Sequence, residues 1–163
     1  SAVLVHLTDG QGRRLVLHRT KEPNAGMHSP VGGKLEVEDG ESPHTCAVRE
    51  VHEETGIVLK EDEVHLLGMV SERAYENTNH WLIFVYEATR TIDPNEITSM
   101  VMDEGELKWV RDEDIEQIGI PDTDREILWP QVKAHSPGGF FVVHIECGGD
   151  TLVPTLHQSH LSS

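Results

Sequence analysis

The chain has 163 residues, 37% of them hydrophobic, which fits one folded domain with its own hydrophobic core. Its formal net charge of −16 argues against non-specific binding to DNA or to an anionic membrane, although the charge can also serve solubility alone. Two cysteines, Cys46 and Cys147, are too few for a disulfide scaffold. Because the sequence has no apolar span of about 20 residues and no signal sequence, we expect a cytoplasmic protein.

The beginning of the chain predicts two strands followed by a loop. Residues 2–7 and 14–19 have the composition of strands and are joined by a turn-rich segment. Residues 21–30 are rich in turn formers, which predicts a loop. The pair Gly32 and Gly33 then allows either a close backbone approach to a ligand or an unusual turn.

A helix with clear end signals follows. Ser42 is suited to the N-cap, Pro43 to the first helical position, and Gly56 to the position just past the end. Ala47 and Val51 belong to an apolar face directed at the core, and charged residues occupy the other side.

The second half of the chain predicts more strands. Residues 64–71 and 81–88 are rich in branched and aromatic side chains, and residues 108–110 form a shorter strand. Residues 89–106 are a long polar connection, which is more typical of a functional segment than of a spacer.

Two helices and a hairpin are predicted at the end of the chain. Asp112 is suited to cap a short helix that runs to Ile118, and a second helix is expected to start near Asp122 and to end or kink at Pro130. Residues 140–146 and 151–156, separated by two glycines and an aspartate, predict a terminal hairpin. Pro154 indicates that its second strand lies at an edge of the sheet. The whole pattern predicts one α/β domain with a mixed sheet and flanking helices.

Three glutamates on the predicted central helix form the most informative pattern. Glu50, Glu53 and Glu54 stand at i, i+3 and i+4, so their carboxylates can converge on one point. Unpaired like charges cost stability, and hard divalent cations prefer such oxygen ligands, so the pattern indicates a metal-dependent phosphate enzyme. The alternative is a surface helix stabilised by salt bridges. A zinc site at His52 is excluded, because Gly56 stands where the second histidine would be needed.

Residues 33–57 resemble the Nudix box, whose pattern is G-x5-E-x7-R-E-U-x-E-E-x-G-U with U a bulky aliphatic residue. From Glu41 onward, every specified position of the pattern is matched: Glu41, Arg49, Glu50, Val51, Glu53, Glu54, Gly56 and Ile57. The distance from Gly33 to Glu41 is two residues longer than the pattern, with the extra length in the loop 35–40. The resemblance implies a single domain over residues 1–163, an α/β/α sandwich with a mixed sheet and a C-terminal β-hairpin.

The resemblance also implies a metal site. Glu50, Glu53 and Glu54 would hold Mg²⁺, or Mn²⁺ as the alternative, with help from a backbone carbonyl at Gly32 or Gly33. An acid outside the box often completes such sites, and Glu104 is the first candidate here. Two acids of the same segment stand behind it: Glu106 and Asp103.

The family's catalytic roles carry over to four matched positions. Arg49 would pair with the carboxylates and orient them. Either Glu53 or Glu50 would take the proton from the attacking water. Glu41 would brace the loop and the helix rather than bind the metal.

Outside the box, the chain resembles the MutT-type group, which hydrolyses oxidised purine nucleoside triphosphates. The supporting segments are residues 104–110, 120–124 and 129–130 and the closing hairpin. The implied reaction is hydrolysis of a purine nucleoside triphosphate, oxidised or not, to a monophosphate and pyrophosphate. The alternatives are another nucleoside diphosphate substrate, such as ADP-ribose, or a non-catalytic Nudix ligand-binding regulator. A small-molecule nucleotide is the expected partner, without nucleic acid polymer or membrane, in a monomer or homodimer.

Five residues are candidates for substrate contacts: Arg19, Ser29, Lys34, Asp122 and Asp124. An exposed strand end explains Arg19 equally well, and a helix N-cap explains Asp122. Ser29, His28 and Ile120 stand where better-known members have Asn, Trp and Trp, which weakens any assignment of 8-oxoguanine specificity. Each of the three tryptophans is more typical of a core residue than of a base-stacking platform.

Overall fold

The computed structural model describes residues 1–22, 24–76 and 79–162. Nine strands are formed by these residues: β1 (Ala2–His6), β2 (Arg13–Arg19), β3 (His28–Lys34), β4 (Val64–Tyr75), β5 (Asn79–Ala88), β6 (Val101–Met102), β7 (Gly105–Arg111), β8 (Phe140–Glu146) and β9 (Val153–His160). Two α-helices accompany them, α1 (Pro43–Thr55) and α2 (Trp129–His135).

The strands form one mixed sheet in the order β6-β7-β2-β3-β1-β5-β4-β8-β9. β1 runs parallel to β5 and β4 parallel to β8, whereas the other neighbouring pairs in the described residues are antiparallel. β8 and β9 form the predicted terminal hairpin, and β9 lies at the edge, as Pro154 predicted. The mixed sheet expected from the sequence is therefore confirmed.

Each face of the sheet carries its own hydrophobic core. On β1, Val3 and Val5 enter the core that contains α1, whereas Leu4 packs against the other core. The residues of α1 in the first core are Cys46, Ala47 and Val51. Those near and within α2 in the second core are Ile127, Leu128, Trp129 and Val132. This alternation along a strand places a helix on each face, so the structure is the predicted α/β/α sandwich.

α1 has the bounds that its sequence predicts. The Ser42 hydroxyl accepts a hydrogen bond from the Thr45 N–H at 3.1 Å, and Pro43 occupies the first helical position. Gly56 ends the helix at φ 82°, and its N–H donates to the carbonyl of His52. These end signals fix the register of the acidic residues between them.

The predicted loop over residues 21–30 is wrong at its end, because β3 begins at His28. Gly32 and Gly33 are not in a turn but in this strand, where they pair with Leu4 and Val3. Glycine at residue 32 has a packing reason, since a side chain there would overlap the Val3 carbonyl. The strand was hidden because its residues favour turns in isolation.

Two of the predicted helices also need correction. Asp112 begins a 3₁₀ turn that ends at Asp114 rather than a helix to Ile118, and its carboxylate accepts a hydrogen bond from Arg14 at 2.8 Å instead of capping. The later helix begins at Asp122, as predicted, but of the two outcomes expected at Pro130 an end there is wrong, because the helix continues to His135. A π-helical turn over Asp124–Leu128 precedes the proline, and this wider turn keeps the helix continuous.

Candidate active site

The backbone of β3 and the side chains of α1 meet at Gly32 and Gly33. The Gly32 N–H donates a hydrogen bond to the Glu54 carboxylate at 3.3 Å. A side chain at residue 33 would overlap the carboxylate of Glu50. The strand therefore approaches the acidic face of the helix as closely as only glycine permits.

Arg49 ties the acidic residues of α1 to the preceding loop. Its guanidinium donates two hydrogen bonds to Glu41, at 2.6 and 2.9 Å. It also donates to Glu50 at 2.9 Å, to Glu53 at 3.2 Å and to the carbonyl of Lys34 at 3.3 Å. A planar guanidinium with five N–H donors suits this arrangement, and its effect is to fix the carboxylates in one orientation.

The carboxylates differ in how strongly the site disfavours their charge. The hydrogen bonds from Arg49 lower the pKa of Glu41 to about 2. Burial, followed by the negative charges of Glu104 and Glu50, raises the pKa of Glu54 to about 8. Burial also raises the pKa of Glu50 against the opposing effect of Arg49. Burial and the neighbouring carboxylates thus disfavour the charged forms of Glu50 and Glu54, the two acids beside Gly32 and Gly33.

These residues line a cleft of about 460 Å³. Glu50, Glu54 and Glu104 contribute carboxylates to it, and Arg19 and Lys34 contribute the positive charges. Such a volume lies within the range of about 300 to 1,000 Å³ that is common for small-molecule sites. The cleft therefore combines oxygen ligands for a cation with groups that can contact phosphate.

A smaller apolar recess of about 40 Å³ adjoins the cleft. Ser29 and Asp124 line both spaces, so the recess continues the cleft rather than forming a separate cavity. Ile120 and Trp129 lie in its wall, and the buried Nε1 of Trp129 has no hydrogen-bond acceptor in the described residues. An apolar space with a few polar groups is the usual form of a pocket for a planar ligand.

The structure brings most of the sequence-predicted site residues to this cleft. Seven of them line it: Arg19, Ser29, Gly33, Lys34, Glu50, Glu54 and Glu104, and Asp124 is the eighth. Three others are not among the lining residues: Arg49, Glu53 and Asp122. The Glu53 side chain is 57% exposed and faces Arg49, and the Asp122 side chain is 81% exposed and pairs with Arg125.

Sequence reasoning missed several residues of the cleft, including three on or directly after β4. Glu72, Tyr75 and Glu76 line it, although the strand pattern of β4 gives no sign that a polar residue at its end is buried. Trp81 also lines it and lies under the Lys34 ammonium, which is 5.9 Å from the ring centroid. The sequence singled out Trp81 but favoured a core position.

The carboxylates that line the cleft suit a divalent cation, although they are not preassembled around one. In the part of the chain that the structure describes, no three acidic, histidine or cysteine side chains form a preassembled metal site. Like charges repel without a cation, and the raised pKa values of Glu50 and Glu54 are the signature of that repulsion and of burial. Three carboxylates line one cleft beside the backbone of Gly32 and Gly33: Glu50, Glu54 and Glu104. Hard cations prefer oxygen ligands of this kind, so these residues fit a divalent cation.

The NUDIX domain matches residues 1–140 of the chain. The chain belongs to the Nudix family, and its class is that of a Nudix pyrophosphohydrolase. Nudix hydrolases generally use a divalent metal cation. The match covers β1 to the start of β8 and includes α1 and the cleft residues described above.

Solved structures with the same fold include the MutT protein of Bacillus halodurans, with a TM-score of 0.72 and 23% identity over 96% of both chains. The NUDIX domain of Shewanella oneidensis NrtR in complex with ADP ribose has a TM-score of 0.66 and 19% identity over 81% of this chain and 84% of that one. NrtR in complex with a 27mer DNA has a TM-score of 0.64 and 18% identity, over 81% and 59% of the two chains. At these identities the similarity shows the fold.

None of the helices formed by residues 1–22, 24–76 and 79–162 is long and apolar enough to cross a membrane.

Proposed function

We propose that this chain hydrolyses a purine nucleoside triphosphate, oxidised or not, to a nucleoside monophosphate and pyrophosphate, with Mg²⁺ as the cation and Mn²⁺ as its substitute. One observation supports this proposal above the others. A single cleft joins the carboxylates of Glu50, Glu54 and Glu104 to an apolar recess that Ser29 and Asp124 border. That order of groups matches a molecule with phosphates at one end and a flat base at the other.

The cleft residues have separate tasks in this reaction. Glu50, Glu54 and Glu104 would hold the divalent cation, with Glu53 at the rim. Bound there, the cation offsets the negative charge that builds on the phosphoryl oxygens. Arg19 and Lys34 supply further positive charge along the cleft. Arg49 keeps Glu50 and Glu53 in position through its hydrogen bonds at 2.9 and 3.2 Å.

The reaction needs a base for the attacking water. The water oxygen bonds to one phosphorus of the anhydride, the bridging P–O bond breaks, and the water proton passes to a carboxylate. Glu50 and Glu53 are the two candidates. Glu50 lines the cleft, whereas Glu53 lies against Arg49 at its rim, which supports Glu50 as the closer of the two to a bound phosphate.

A panel of nucleotides with Mg²⁺, assayed for pyrophosphate against inorganic phosphate, tests the proposal. We expect pyrophosphate and a monophosphate from at least one purine triphosphate. If no triphosphate releases pyrophosphate, the proposed reaction is wrong. The number of metal ions bound is measured separately by calorimetric titration of Mg²⁺.

ADP-ribose hydrolysis is the second candidate, and a regulator without catalysis is the third. The ADP-ribose complex of the NrtR domain, which shares this fold, favours including ADP-ribose in the panel. A rate highest on ADP-ribose would replace the lead proposal with this one. Glu50→Gln separates enzyme from regulator, because a regulator keeps its ligand response while an enzyme loses most turnover.

A further inference from the structure

A second group of acids lies in the cleft, apart from those of α1. Glu72 on β4 lines the cleft, yet the residue is only 6% exposed. No side chain of the described residues donates a hydrogen bond or forms an ion pair with its carboxyl group. A carboxyl group that is largely withdrawn from water but opens on a cleft, without a donor from the protein, is suited to accept a hydrogen bond from a ligand.

Asp124 is the partner of Glu72 in this second acid pair. Asp124 also lines the cleft, and the Thr123 hydroxyl at 3.4 Å is the donor to its carboxylate in the described residues. Burial and then the neighbouring charge of Asp124 raise the pKa of Glu72 to about 7. Burial raises the pKa of Asp124 to about 6. Burial and the charge of Asp124 therefore both disfavour the charged form of Glu72.

The acids of α1 do not contribute to this effect. The charges that act on Glu54 are those of Glu104, Glu50 and Arg19, whereas the one that acts on Glu72 is that of Asp124. The second acid pair is thus electrostatically separate from the acids that would hold the cation. It needs a ligand group of its own.

The surroundings of Glu72 indicate what that group is. Trp81 is its direct cross-strand neighbour on β5, so both side chains stand on the same face of the sheet, and Trp81 also lines the cleft. Asp124 extends the same wall to the apolar recess, where Ile120 and Leu128 lie. A flat ring suits the aromatic and apolar surfaces, and N–H groups on its edge suit the carboxyl oxygens.

We propose that Glu72 and Asp124 select the base of the substrate by accepting hydrogen bonds from two adjacent N–H groups on its edge. This inference rests on the proposed nucleotide substrate and makes Glu72 a specificity-determining residue. The ring imino and exocyclic 2-amino groups of guanine provide such an edge. Hypoxanthine lacks the 2-amino group and would leave one carboxyl group buried without a donor.

Binding of dGMP and dIMP to the full chain in the presence of Mg²⁺ tests the inference by calorimetry, because the two ligands differ only in the 2-amino group. We expect dGMP to bind about tenfold tighter or more, since a site built around a donor rejects the analogue that lacks it. Equal affinities would overturn the proposal. Failure of both ligands to bind would overturn it together with the proposed substrate class.

Variants assign the preference to the second acid pair. Glu72→Leu and Asp124→Leu should each reduce the dGMP preference to about threefold or less, because a leucine side chain has no hydrogen-bond acceptor. Glu126→Gln is the matched control, since Glu126 is an exposed acid in the same turn as Asp124 and lines neither the cleft nor the recess, and it should keep the full preference. An unchanged preference in both folded test variants would overturn the assignment.

A pyrophosphate assay with dGTP keeps this inference distinct from the proposed function. Preferential binding of dGMP without pyrophosphate release from any triphosphate would refute the proposed reaction and leave the second acid pair as a base-binding site. Release of pyrophosphate at equal rates from dGTP and dITP, with equal binding of dGMP and dIMP, would leave the reaction and refute the inference.

Discussion

The acids of α1 and the second acid pair show two ways to place carboxyl groups in one cleft. Glu41 and Glu50 are held by the guanidinium of Arg49, with hydrogen bonds of 2.6 to 2.9 Å. Glu72 and Asp124 have no cation bound to them in the described residues. A cation within the protein fixes a carboxylate but occupies its oxygens, whereas an acid without one keeps its oxygens available to a ligand. The difference separates structural acids from ligand-binding ones.

The largest expected effect comes from Glu50, which is held by Arg49 and also lines the cleft. Glu50→Gln should lower kcat/KM by about 100-fold or more, because it removes a candidate base and a cation ligand together. Pyrophosphate release at several substrate concentrations measures the change. Glu38→Gln is the control, an exposed acid on the neighbouring loop that should leave the rate unchanged. A Glu50→Gln variant with near-normal turnover would contradict the assigned role.

Arg49→Ala tests the other side of the comparison by leaving the acids of α1 without their cation. The side chain of Glu41 is only 8% exposed, so its charge would remain buried and unpaired. We expect a loss of about 3 kcal/mol in the free energy of unfolding, measured by urea titration. Arg49→Lys keeps the positive charge but lacks the forked donors of the guanidinium. Its free energy of unfolding should therefore lie between those of Arg49→Ala and the unaltered chain. If Arg49→Ala were as stable as the unaltered chain, Arg49 would not be structural.

Glu72→Gln should stabilise the protein at high pH. The pKa of Glu72 is raised from 4.5 to about 7, so between these values the folded protein holds more protons than the unfolded chain. The free energy of unfolding of the unaltered chain therefore falls as pH rises from 4.5 to about 7. Glu72→Gln has no carboxyl group to ionise at this position, so it does not lose this stability. We expect a gain of about 1 to 3 kcal/mol at pH 8 and almost none at pH 4. Urea titrations at both pH values measure it, and a loss of stability at pH 8 would contradict the burial argument.

The smallest effect is expected at Asp122, the neighbour of Asp124 that the structure places outside the cleft. Its side chain is 81% exposed and its ion pair with Arg125 is 3.4 Å long. An exposed pair of this kind contributes about 0 to 1 kcal/mol to stability. Because Asp122 is not among the residues that line the cleft, Asp122→Asn should also change kcat/KM by less than about twofold. A large loss in that variant, with Asp124→Asn unaffected, would exchange the roles of the two residues.

The parts of the fold that could be predicted are those specified by local sequence. Ser42, Pro43 and Gly56 mark the ends of α1, and the spacing of Glu50 and Glu54 follows once that helix is known. β3 was missed at its start because the residues before Gly32 favour turns, and it is the pairing with strands on both sides that makes it extended. Long-range pairing of this kind leaves no local signal.

Of the second acid pair, Asp124 was a candidate from the sequence, whereas Glu72 could not be predicted. In the sequence, Glu72 reads as a polar residue near the end of a strand, which is commonly exposed. The fold brings it under the charge of Asp124, which is about fifty residues away in the sequence. The continuation of the later helix past Pro130 was also unpredictable, because it depends on the π-helical turn before the proline.

The loop that lengthens the box pattern is closed at its base before it reaches the cleft. The Glu36 N–H donates to the carboxylate of Glu41 at 3.1 Å, and the same carboxylate is held by Arg49 at 2.6 Å. Between these ends, Val37 is 64% exposed and Gly40 turns the chain at φ 72°. Because the ends of this loop are held together, residues inserted between them should not displace the residues of the cleft. Residues 38–39 are therefore a suitable place to graft a peptide tag, and hydrolysis measured before and after insertion should be the same.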